Sequence, residues 1–74
     1  KGSMYFEGFL INGQENGIFK YYDNGKLIGY ENYSDGLLNG ITRWYEYNSE
    51  EYEESCWQNN LQFTDMSFCL TEQK

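Results

Sequence analysis

The chain has 74 residues, a net charge of -7 from 12 acidic and 5 basic side chains, no histidine and no proline. A chain this short forms one domain and buries only about 60% of the surface its unfolded form exposes, so its core needs a supplement, for which 8 Tyr, 5 Phe and 2 Trp are the obvious candidates. The acidity argues against nucleic acid or an anionic membrane surface as a direct partner, and the lack of histidine removes any Ser-His or Cys-His nucleophile pair.

In chain order, Lys1-Gly2-Ser3 ahead of Met4 reads as a cloning remnant, which leaves residues 4–70 as the domain and 71–74 as a frayed tail. No targeting signal and no apolar run of membrane-spanning length is visible, so a cytoplasmic protein is expected. Met4 to Ile11 is nearly all apolar or aromatic and predicts a strand. Asn12-Gly13 and Asn16-Gly17 predict a tight loop with two glycine corners. Ile18 to Tyr22 is the next strand, with Phe19 and Tyr21 on one face and Ile18, Lys20 and Tyr22 on the other. Asp23-Asn24-Gly25 turns the chain. Leu27 to Tyr33 returns, with Ile28 and Tyr30 on one face and Leu27 and Tyr33 on the other.

The same grammar then repeats. Asp35-Gly36-Leu37-Leu38-Asn39-Gly40-Ile41 follows Asn12-Gly13-Gln14-Glu15-Asn16-Gly17-Ile18 at an offset of 23. Ile41 to Tyr47 is the outgoing strand, Asn48-Ser49 the turn (with Ser49 where a glycine is expected), and Tyr52 to Trp57 the return. Past that turn the offset becomes 24, so one residue has been inserted at the turn, where it does not flip a strand. A decayed third copy starts at Gln58-Asn59-Asn60-Leu61, with Asn60 and Phe63 replacing the two glycines. Leu61, Phe63, Met66, Phe68 and Leu70 suggest a closing strand, with a short helix over 65–72 as the alternative. The expected fold is all-β: a single antiparallel meander sheet of about six strands, built from two to three 23–24-residue β-hairpin repeats.

The pattern Asn-Gly-x-x-x-Gly-x-Phe-x-x-Tyr followed by Asp-Asn-Gly-Lys-Leu resembles the bacterial variant of the MORN repeat over residues 5–61. Gly13, Gly17, Tyr22, Gly25 and Lys26 match in the first unit, and Gly36, Gly40 and Tyr45 in the second. The resemblance implies hairpins laid side by side in one elongated sheet. It also implies a binding module, often of the antitoxin or immunity type, rather than an enzyme.

Other chemistry is poorly supported. Cys56 and Cys69 are too few for a disulfide scaffold; free thiols are expected, with a Cys56–Cys69 bridge as the alternative. Gly13 and Gly17 lack the ending of a phosphate-binding loop, the acidic residues lack the spacing of a calcium loop, and so small a chain offers no deep cleft for a sugar. No metal, cofactor or catalytic residue is expected.

Candidate binding residues lie where the copies differ. Tyr22 and Tyr45 are expected in the core; Tyr21 and Trp44 then face the other way and can anchor a partner. The run Glu50-Glu51-Tyr52-Glu53-Glu54, with Glu46, supplies negative charge. On a strand Glu51 and Glu53 would share one face and Glu50, Tyr52 and Glu54 the other. This run reads either as a mimic of phosphates docking into a basic groove or as a charged edge that prevents aggregation. The expected function is a small acidic inhibitor of a larger protein with a basic, nucleic-acid-binding surface, such as a toxin or nuclease: an antitoxin, an immunity protein or a phage-encoded anti-CRISPR. The competing expectation is a structural repeat module or a homodimer formed through sheet edges.

Overall fold

A computed structural model describes residues 3–63 and Cys69. Seven strands run β1 (Met4–Ile11), β2 (Gln14–Asp23), β3 (Lys26–Ser34), β4 (Leu37–Leu38), β5 (Gly40–Tyr45), β6 (Tyr52–Gln58) and β7 (Leu61–Phe63). They form one open antiparallel meander sheet in the order β1-β2-β3-β5-β6-β7, with β4 also paired to β3. The strand beyond the expected six is β4. It lies along β3 through Tyr33–Leu38 and Ser34–Leu37, ahead of β5, which pairs through Gly29–Trp44 and Tyr30–Arg43. Asn39 interrupts the pair, and Asn32 repairs the gap: its carbonyl accepts from Asn39 N at 2.9 Å and its Nδ2 donates to the Ile41 carbonyl at 2.7 Å.

The turns are built from short polar residues that tolerate the left-handed region. Asn12, Asn24, Asp35, Asn48, Asn59 and Asn60 all have φ between 50° and 71°. The same corner bonds tie successive units together. Gly36 N donates to the Glu15 carbonyl at 2.9 Å, and Asn60 N donates to the Leu38 carbonyl at 2.9 Å, so Asn60 does the work of the missing glycine. The Asn60 side chain adds a bond of its own from Leu38 N, at 2.7 Å.

Register confirms the repeat and its inserted residue. In the first hairpin Gly17 pairs with Tyr33 and Lys20 with Tyr30; in the second Gly40 pairs with Trp57 and Arg43 with Glu54. Outgoing strands are thus related by 23 residues and returning strands by 24.

Three local expectations need correction. The loop after β1 has one corner, Asn12-Gly13, because Gln14 already pairs with Ile11. Gly17 is a kink inside β2 at φ 81°, with the Phe9 ring packed close by. Secondly, Leu27 and Tyr33 do not share a face. A bulge pairs Tyr22 with Leu27 and Tyr21 with Gly29, leaving Ile28 over, so parity shifts along β3. Leu27 sits across from Tyr22, whereas the Tyr33 ring lies edge-on to Phe19 with centroids 5.5 Å apart. Thirdly, Tyr22 and Tyr45 are half-buried rather than core. Tyr22 stacks on Tyr5 of the edge strand at 4.9 Å, which is too thin a cover to bury it.

The residues that are buried, among those described, sit elsewhere. Phe19 is 4% exposed on the Tyr21 face, under β1 at Gly8, where an added Cβ would stand 2.5 Å from the Phe19 ring. Thr42, the repeat equivalent of Phe19, is buried as well and accepts a bond from Trp57 Nε1 at 3.1 Å. On the opposite face Cys56 and Cys69 are 0% and 1% exposed. They are joined in a disulfide with Cα atoms 5.8 Å apart, in place of the free thiols expected. The crosslink joins positions 13 residues apart and ties Cys69 to β6, a supplement that suits a thin core. The question of strand or helix over 65–72, and the frayed tail, lie outside the described residues apart from Cys69.

Candidate partner-binding surface

On the Phe19 face an aromatic ladder crosses the strands. Phe6, Tyr21 and Trp44 follow one another at centroid spacings of 6.1 and 5.2 Å. Tyr21 pairs with Gly29, and Gly29 has no side chain, so the Trp44 ring folds over it to reach Tyr21. A Cβ on Gly29 would collide with both the Trp44 ring and the Arg43 carbonyl. Tyr21 and Trp44 are therefore one contiguous patch, and Trp44 remains 40% exposed. An indole held rigid from below and open above is a low-entropy anchor for a partner.

Behind the ladder, Glu31 accepts two phenol bonds on one carboxylate oxygen, from Tyr21 at 2.9 Å and Tyr33 at 2.7 Å. Both phenols are pushed up from their ordinary value, Tyr21 to about 12. Burial is the larger cause, followed by the bond to Glu31, which a phenolate would lose. Glu31 is thereby part of the scaffold rather than of the open acidic surface.

The acidic run divides. Glu53 pairs with Trp44 across β5 and β6 and extends the ladder with a negative charge. Glu54 lies on the opposite face, opposite Arg43, whose Nε and Nη2 both donate to its Oε2, the former at 2.8 Å. The guanidinium also lies 3.9 Å from the Tyr52 ring and 5.6 Å from the Tyr30 ring, and donates to the Tyr45 hydroxyl at 3.3 Å. Arg43 is thus fully engaged by two rings, a phenol and a carboxylate, and Glu54 is spent on it. Glu50 and Glu51 precede β6, so strand alternation does not apply to them. They sit with Glu46 in the β5–β6 turn, which is closed by Glu46 N to the Glu51 carbonyl at 2.8 Å and by Glu51 N to Ser49 Oγ at 2.9 Å.

Of the seven residues singled out in the sequence, Tyr21, Trp44 and Glu53 form one patch, Glu46, Glu50 and Glu51 crown the adjoining turn, and Glu54 faces the other way. Beside this patch a half-open depression of about 250 Å³ lies where the two hairpin tips meet, lined by Asp23, Lys26, Ile28, Trp44, Glu46 and Tyr47 among others. Asp23 Oδ1 is buried there with no hydrogen-bond partner. This depression is not legible in the residues, because it joins the turns of two separate hairpins whose proximity depends on β3 pairing with β5. Arg43 was also missed as an organising residue. The signal was present: it is the repeat equivalent of Lys20, exchanged for the cation that can fork onto a carboxylate and stack on rings.

Among the described residues no group of three or more acidic or cysteine side chains is placed to hold a metal ion, and no helix is long and apolar enough to cross a membrane. No family model, curated protein or solved structure matches this chain.

Proposed function

We propose that this protein is a small binding module, not an enzyme, that inhibits a larger protein by occupying a basic surface of it, in the manner of an antitoxin, immunity protein or anti-defence inhibitor. The observation that supports this reading is the half-exposed Trp44, braced on Tyr21 and bordered by Glu53 and the Glu46–Glu50–Glu51 turn. An aromatic anchor rimmed by carboxylates suits an arginine-rich surface, since a guanidinium can stack on the ring and pair with the rim at once. The net charge of -7 adds long-range steering toward such a surface. The resemblance to MORN-type repeats points to the same class of protein. The cytoplasm is the proposed setting. A disulfide is rare in that reducing setting; burial of the Cys56–Cys69 bridge slows its exchange, because a thiolate must reach a sulfur.

An arginine-rich nonapeptide titrated against the protein, read by tryptophan fluorescence, tests the reading. Binding is expected to weaken at least about tenfold between low and high salt, and Trp44→Ala and Glu53→Gln are each expected to weaken it further, by about three- to tenfold. Binding that ignores salt, or that is unchanged in Trp44→Ala, overturns it.

A further inference from the structure

The outer edge of β1 carries a feature the acidic patch does not use. Six of its eight residues are large and apolar, and all six stand open: Met4, Tyr5, Phe6, Phe9, Leu10 and Ile11 are between 48% and 70% exposed. An edge strand offers a row of unpaired backbone groups, and proteins usually blunt it with lysine, proline or inward charges. β1 has no lysine, arginine or proline; its only safeguards are Glu7 and the irregularity at Gly8. The other end of the sheet is different: among the described residues β7 spans three, Leu61–Phe63.

We infer that β1 is a self-association seam: two copies pair antiparallel, β1 against β1, to continue the sheet across a two-fold axis. Charge selects a second copy as the occupant. A basic partner is drawn to the carboxylates of the β5–β6 turn, whereas β1 holds one charge in eight residues and calls for a strand equally short of charge. The chain itself supplies one. Two chains of net charge -7 repel, and this seam is where they meet with least cost. β6 lies four strands from β1, so at about 4.8 Å per strand the acidic turns of the two copies stand about 40 Å apart, several times the screening length of about 8 Å at physiological salt. The area also fits a weak, reversible dimer. Six half-exposed side chains offer on the order of 100 Å² each, and edge pairing covers only their flanks, so the buried area stays below about 1,200 Å² over both copies, the range of weak interfaces. Trp44 lies three strands and Glu53 four strands from the seam, so a dimer presents two acidic patches at once; Phe6, the outer rung of the aromatic ladder, is the residue that seam and ladder share. This inference stands or falls separately from the inhibitor reading.

Light scattering and sedimentation equilibrium on the full chain, from about 5 to about 500 µM, bracket the weak affinity expected of so small an interface. The mass is expected to rise from 8.8 kDa toward twice that value. Phe9→Lys and Leu10→Lys are expected to hold the protein at the monomer mass throughout, while Leu61→Lys on β7 follows wild type. Leu10 and Leu61 are exposed at 59% and 69%, whereas the Phe9 ring also covers Gly17, so Leu10→Lys against Leu61→Lys is the deciding comparison. Amide exchange on the unmutated protein gives a second readout: β1 protection should grow with concentration while β6 protection does not. A wild type that stays monomeric at the highest concentration, β1 variants that dimerise like wild type, or β1 protection independent of concentration each overturns the seam.

Discussion

The two hairpins share one register and are held by different forces. In the β2–β3 hairpin, Lys20 faces Tyr30 and Phe19 faces Glu31; in the β5–β6 hairpin, Arg43 faces Glu54 and Thr42 faces Ser55. The first hairpin buries a phenyl ring and turns tightly through Asn24-Gly25. The second buries a threonine, opens into a six-residue turn between Tyr45 and Tyr52, and relies on an ion pair, a ring stack and a disulfide. Backbone pairing therefore sets where side chains stand, and each copy then fills the same stations with different chemistry. The difference has a consequence for binding. At the station after the cation, Tyr21 meets bare Gly29, while Trp44 meets Glu53. Only the second copy carries both an exposed ring and a charge, and Gly29 in the first is what lets that ring find support.

The buried station should give the largest effect. Phe19→Ala is expected to cost about 3–5 kcal/mol, and Thr42→Ala only about 1 kcal/mol, measured as urea midpoints at equal m-value. Equal losses would mean that the two hairpins carry the same packing burden.

Removing the clasp comes next. The double variant Cys56→Ser, Cys69→Ser is expected to lose about 3 kcal/mol, the figure for a loop of this size, with β6 and β7 gaining amide exchange before β1 and β2 do. Uniform loss across the sheet would show that the bridge supports both hairpins alike.

The smallest effect is electrostatic and confined to high pH. Tyr21 and Tyr33 have folded-state values above the ordinary 10, about 12 for Tyr21, so above pH 10 the unfolded chain gives up protons that the folded chain keeps. Their stabilisation is complete below pH 10 and is lost as pH rises from 10 through 12. Tyr33→Phe should flatten the fall in urea midpoint over that window and leave the midpoint at pH 7 within about 1 kcal/mol of wild type. A slope unchanged in the variant would remove Tyr33 from the account.

Much of the fold was legible because turn chemistry is local. Asn-Gly and Asp-Gly pairs need no distant partner to favour the left-handed region, so turn positions, β1, and the 23-to-24 change of offset could be read from residues alone. The strand parity of Tyr21 and Trp44 followed from the period of two, and those residues do lie together on the face opposite Tyr22. Burial was harder. Tyr22 and Phe19 both suit a core, and only the edge position of Tyr5 against Tyr22, and of Gly8 against Phe19, decides between them.

By itself, then, the sequence determined the class of fold, the repeat, the places where the chain turns and the excess of negative charge, because each depends on residue type and short spacing. Tertiary structure decided the bulge at Tyr21–Tyr22, the Cys56–Cys69 bridge, the capture of Glu54 by Arg43 and of Glu31 by two tyrosines, and the meeting of two hairpin tips beside Trp44. Those contacts join residues from separate strands or turns, and their geometry exists only once the neighbouring strand has taken its register.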